Sequence, residues 1–73
     1  MAWTQDYIED YTTRRKLGII ETDTATGDQI ARDYNTRRIL GYYKANLNVT
    51  QDDMRRNIAK GNVLVSLIYK NQR

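Results

Sequence analysis

Seventy-three residues with 12 basic and 9 acidic side chains, a net charge of +3 and no Cys, His, Pro or Phe allow one domain at most, near the smallest size that a single apolar core sustains. Without Cys or His, a disulfide framework and a Cys/His zinc site are both excluded, and so is nucleophilic catalysis built on a thiol or an imidazole base. Leu, Ile and Val together number 15 of 73, close to the roughly 20% below which chains tend towards disorder, so oligomerisation or docking on a larger partner is expected to complete the burial.

The first element is expected over residues 4–20, and its core is half of an internal duplication. Asp10-Tyr11-Thr12-Thr13-Arg14-Arg15-Lys16-Leu17-Gly18 matches Asp33-Tyr34-Asn35-Thr36-Arg37-Arg38-Ile39-Leu40-Gly41 at seven of nine positions, 23 residues apart. Each copy reads as a capped helix: an upstream Thr as cap, acidic residues near the positive N-terminal end, an Arg pair near the negative C-terminal end, and a Gly stop. On a 3.6-residue period Trp3, Tyr7, Tyr11 and the stem of Arg14 share a face, as do Ile30, Tyr34 and the stem of Arg37 in the second unit, residues 26–43. Tyr7, Tyr11 and Tyr34 are expected in the core.

A third helix is expected over residues 50–60, where Thr50-Gln51-Asp52-Asp53 makes a helix start, Met54 and Ile58 an i, i+4 apolar pair, and Gly61 a stop. Arg55-Arg56 supplies another Arg pair, although its spacing from the cap differs from the first two. The apolar run Val63-Leu64-Val65-Ser66-Leu67-Ile68-Tyr69, within residues 62–70, is short and rich in β-branched residues, which favours a strand paired with Gly18–Thr22 or with a second chain. The fold class expected is therefore mainly α: a three-helix module with a duplicated helical unit and a C-terminal strand or extended segment.

No residue set in this sequence points to catalysis, a cofactor or a metal. Ser66 has no base, Glu9-Asp10 and Asp52-Asp53 diverge on a helix, and the carboxylates at Glu21, Asp23 and Asp28 lack the alternation of a calcium loop. The contact candidates are the Arg pairs Arg14-Arg15, Arg37-Arg38 and Arg55-Arg56, the aromatics Trp3, Tyr42, Tyr43 and Tyr69, and Val65 and Leu67 of the apolar run. The bland account of the arginines is that they complement helix ends and neighbouring acids. The expected function is that of a non-catalytic structural or accessory subunit, packing against itself or a larger protein assembly such as a phage or bacterial particle. The alternative is a small DNA- or RNA-binding regulator that uses the Arg pairs. A helix-turn-helix is not supported, because Thr36, Arg37 and Arg38 fall where its second helix needs apolar residues. No apolar run approaches a membrane span and no signal-peptide pattern is present, so the expected location is the cytoplasm or a particle assembled there. Asn48-Val49-Thr50 is read as a chance sequon.

Overall fold

A computed structural model describes residues 3–71. Among these residues the chain forms six strands and one helix: β1 (Trp3–Glu9), β2 (Lys16–Asp23), β3 (Gln29–Asp33), β4 (Ile39–Lys44), β5 (Val49–Asp52), β6 (Asn57–Lys60) and α1 (Leu64–Lys70). The strands pair antiparallel in chain order, β1 through β6, as a single meander, and α1 lies across one face of β2, β3 and β4.

The mainly α expectation is thus overturned. The duplicated unit is a β-hairpin and not a helix, and the third unit at residues 50–60 is a third such hairpin. The expected strand at residues 62–70 holds the one helix among the described residues. The physical reason lies in the turns. At Asp10, Asp23 and Asp33 a carboxylate oxygen accepts the backbone N–H two residues on: Thr12 at 2.7 Å, Ala25 at 2.9 Å and Asn35 at 3.0 Å. A Thr three residues after the Asp then accepts a second N–H, so that Thr13 binds Arg15, Thr26 binds Asp28 and Thr36 binds Arg38. Side-chain acceptors of this kind cap a helix or close a turn with the same chemistry. Here the residue between the Thr and the second N–H is left-handed: Arg14 (φ 63°), Gly27 (φ 83°) and Arg37 (φ 65°). That conformation closes the hairpin and prevents a helix from propagating.

The three hairpins β1–β2, β3–β4 and β5–β6 are structurally equivalent. Ile8 faces Gly18, Ala31 faces Gly41 and Thr50 faces Ala59, and in each hairpin the register shifts by a bulge immediately after the first of these residues. The seams between hairpins also repeat, with Gly18 opposite Asp33 and Gly41 opposite Asp52. The third turn is one residue shorter, yet Arg55 keeps the left-handed conformation at φ 65°.

The glycines expected to stop helices do something else. Gly18 and Gly41 lie within strands on the floor where α1 rests, and a Cβ at either would meet helix side chains at 2.7 Å (Ile68) and 2.5 Å (Leu67). The helix forms because Leu64, Leu67 and Ile68 recur at i, i+3 and i+4, and Asn62 Oδ1 accepts the Leu64 N–H just before it. The core comprises Leu64 and Ile68, both 0% exposed, with Leu17, Ile20 and Ala31, flanked by Ile8, Leu40, Tyr43 and Leu67. The tyrosines expected there lie elsewhere. Tyr11 is 93% exposed, and Tyr7 and Tyr34 meet edge-on, 5.9 Å apart, on the side of the sheet away from the helix. Among the described residues no helix is long and apolar enough to cross a membrane.

Candidate functional site: an arginine rim and two open sheet edges

In a meander, alternate turns fall at the same end of the sheet. The β1–β2, β3–β4 and β5–β6 turns therefore share one rim, set at intervals of about 10 Å because neighbouring strands lie about 4.8 Å apart. This places Arg14-Arg15, Arg37-Arg38 and Arg55-Arg56 on one rim, each pair at a hairpin turn rather than at a helix C-terminus. The helix runs towards the same rim, where Lys70 ends it and Asn71 Nδ2 donates to Asp33 Oδ1 at 2.8 Å.

The rim's carboxylates are largely occupied by backbone. Asp10 and Asp33 are held below the usual carboxylate range chiefly by the N–H of Thr13 and of Thr36, and Asp52 by the N–H of Arg56. Among the described residues Arg56 pairs with Asp52 at 3.1 Å and Lys16 with Glu9 at 3.9 Å, while no ion pair within 4 Å holds Arg14, Arg15, Arg37, Arg38 or Arg55. Two of these cations rest on rings: Arg37 at 5.3 Å from the Tyr34 centroid and Arg55 at 4.3 Å from that of Tyr42. The account of the arginines as complements to helix ends therefore gives way to one of turn residues whose charge is mostly unpaired.

The left-handed position carries a further signal. The same turn has Gly27 at the opposite end of the sheet but Arg on the rim, although a side chain there costs about 1–2 kcal/mol relative to the right-handed conformation. The chain thus has access to the unstrained solution and places Arg at positions 14, 37 and 55.

The other candidates scatter. Trp3, 45% exposed, lines a shallow cleft of about 220 Å³ with Ile30, Tyr42, Lys44 and Arg55. Tyr43 shares the core side, and its hydroxyl donates to Asn48 Oδ1 at 2.6 Å. Leu67 packs on the core, and the Tyr69 hydroxyl donates to the Glu9 carbonyl at 3.0 Å, so these two residues serve the fold and not an edge contact. Val65 faces outward, 45% exposed.

The sheet edges, which periodicity misread as helical did not reveal, are the second feature. β1 is exposed along six of its seven residues and carries Asp6 and Glu9, whereas β6 is exposed at Asn57, Ile58 and Lys60 and follows Arg55-Arg56. Each edge presents backbone groups that a further strand can pair. Among the described residues no group of three or more carboxylates could hold a metal ion. Comparison with known protein families, curated proteins and solved structures finds no match to this chain.

Proposed function

We propose that this protein is a non-catalytic assembly subunit that associates by strand addition at the open edges of its sheet. The observation that carries this reading is the repeat itself. The seams at Gly18–Asp33 and Gly41–Asp52 join one hairpin to the next in the same register, and the outer edges of the first and third hairpins present the corresponding positions without a strand partner among the described residues. A small core that leaves β1 exposed also gains from further burial. Light scattering across a concentration series tests it. The expected result is a mass that rises above that of one chain with concentration, and a monomer at every concentration, alone and with candidate partners, would sink the proposal.

A second reading, binding of nucleic acid along the rim, is favoured by the arginines placed at strained left-handed positions. Its support is the shared rim and the free guanidinium groups, which suit phosphates about as well as they suit a protein's carboxylates. Titration of labelled single-stranded and duplex oligonucleotides should then show affinity falling steeply between about 50 and about 200 mM salt. Binding that is absent at low salt removes this reading.

A further inference from the structure

We infer that the partner at these edges is a second copy of the same chain, joined head to tail, with β6 of one copy pairing antiparallel with β1 of the next. This rests on the assembly reading above and specifies its partner and register.

Two repeat-equivalent tyrosines differ in what covers them. Tyr34 follows Asp33 as Tyr11 follows Asp10. The Tyr34 N–H donates to the Leu17 carbonyl of the preceding hairpin at 3.2 Å, and its ring meets Tyr7 of that hairpin. Among the described residues no hairpin precedes Tyr11, which is 93% exposed. What would cover it is given by the internal seams. Leu17 corresponds to Leu40 and to Ile58, so the counterpart of the Tyr34–Leu17 bond is a bond from Tyr11 of one copy to the Ile58 carbonyl of another. Ile58 is 47% exposed on the β6 edge.

The rest of the register follows. Gly18 opposite Asp33 and Gly41 opposite Asp52 become Ala59 opposite Asp10, and Ile19 opposite Arg32 becomes Lys60 opposite Glu9. Two features of this seam are chemically apt. Lys60 and Glu9 are of opposite charge and directly opposed, an arrangement that stabilises a strand pair, and the Glu9 carbonyl, which accepts from the Tyr69 hydroxyl at 3.0 Å, has a second lone pair for the Lys60 N–H. Ala59 replaces the glycine found at the internal seams, and α1 lies across β2, β3 and β4 and so does not crowd it from above. Symmetric pairings lack this complementarity: two β1 strands bring together edges whose charged residues, Asp6 and Glu9, are both acidic, and two β6 strands bring together edges that carry Lys60 and follow the Arg55-Arg56 turn. A head-to-tail contact leaves one free edge at each end, so it grows into a ring or a filament.

Zero-length carbodiimide coupling of the native chain, followed by peptide mass analysis, tests the register. Glu9 and Lys60 lie on opposite edges of the sheet, five strand spacings or about 24 Å apart, so a Glu9–Lys60 amide can form only between chains. The expected product is a covalent ladder joined by that amide. Reversing either charge, Glu9→Lys or Lys60→Glu, should weaken association about fivefold, whereas an equimolar mixture of the two single variants, in which alternating copies again oppose Lys to Glu at every seam, should recover it, as should the double variant. Oligomers that lack the Glu9–Lys60 link and ignore both reversals would overturn the head-to-tail register while leaving assembly standing. A chain that stays monomeric in light scattering overturns both.

Discussion

Gly18 and Ile68 approach so closely that a methyl group on the glycine would lie 2.7 Å from Ile68 Cγ2 and 2.9 Å from the Arg32 carbonyl oxygen. The Ile68 side chain would have to move, and because the second obstacle is backbone of β3, the β2–β3 seam would have to shift as well. Gly18→Ala is therefore expected to destabilise the fold by about 1–3 kcal/mol, and Gly41→Ala, facing Leu67 and the Gln51 carbonyl oxygen at 2.5 and 2.6 Å, to do at least as much. Thermal denaturation should show the melting temperature falling by about 4 °C or more in each. Gly61→Ala is the contrast: nothing lies within 4 Å of its added methyl, and only its positive φ opposes the change.

The left-handed arginines lead to an unusual expectation, that shortening a side chain stabilises. Arg14→Gly removes a backbone penalty of about 1–2 kcal/mol and loosens the unfolded chain by about 0.5–1 kcal/mol, leaving a gain of roughly 0.5 kcal/mol. Arg55→Gly also forfeits the contact with the Tyr42 ring, a term of about 0.5–1 kcal/mol at an exposed site, and should be close to neutral. Urea denaturation of the two variants distinguishes them. A clear loss of stability in Arg14→Gly would contradict the strain assigned to that turn.

Acid should unfold the protein through its turns. Asp10, Asp28, Asp33 and Asp52 are all held below their ordinary value of 3.8, each chiefly by a backbone N–H, and Glu21 below 4.5 by the Arg32 side chain. The unfolded chain takes up protons first as pH falls, so this stabilisation is complete above the ordinary values and is lost progressively below them, through the lowered folded-state values. Melting temperature should be flat near neutrality and drop steeply once the pH falls below the ordinary carboxylate range. Asp33→Asn keeps an oxygen acceptor for Asn35 and Thr36 but cannot titrate, and should flatten that drop.

Proline placed at equivalent positions separates folding from association. Tyr34→Pro deletes the N–H bonded to Leu17 and the ring against Tyr7, and should lower stability by about 1–3 kcal/mol. Tyr11→Pro deletes the N–H of a residue that is 93% exposed and lies in a turn outside the positive-φ positions that would bar proline. Its melting curve should stay near that of the parent at low concentration, while light scattering shows weaker assembly. Equal effects of the two substitutions on monomer stability would count against the equivalence of the seams.

The duplication was legible in the sequence, and it does mark equivalent structures. The element type was not. Asp10 and Asp33 carry the signature of a helix cap because an oxygen that accepts the N–H groups two and three residues on serves either purpose. The usual mark of a hairpin, Gly or Asn at the left-handed position, is missing at Arg14, Arg37 and Arg55, which conceals three of the turns. Alternation fails in β2, where Leu17, Ile19 and Ile20 are all buried on a strand whose two faces are both covered over that stretch. In the C-terminal run, β-branched Val63, Val65 and Ile68 outweighed the spacing of Leu64, Leu67 and Ile68, the spacing by which α1 packs onto the sheet. That all three Arg pairs share one rim could be read only once the meander was known, since it follows from the strand order.

The strictly sequential order of the strands has a kinetic side. Every strand pairs only with its neighbours in the chain, so each loop to be closed is short and the mean sequence separation of sheet contacts is low for an all-β architecture. Hairpins can form one after another as the chain emerges during synthesis. The helix follows all six strands, however, and until it docks, Ile20 and Ala31 lack their cover. Collapse of the sheet should therefore precede its final closure, with a brief interval in which the bare apolar floor between Gly18 and Gly41 is the molecule's most aggregation-prone surface.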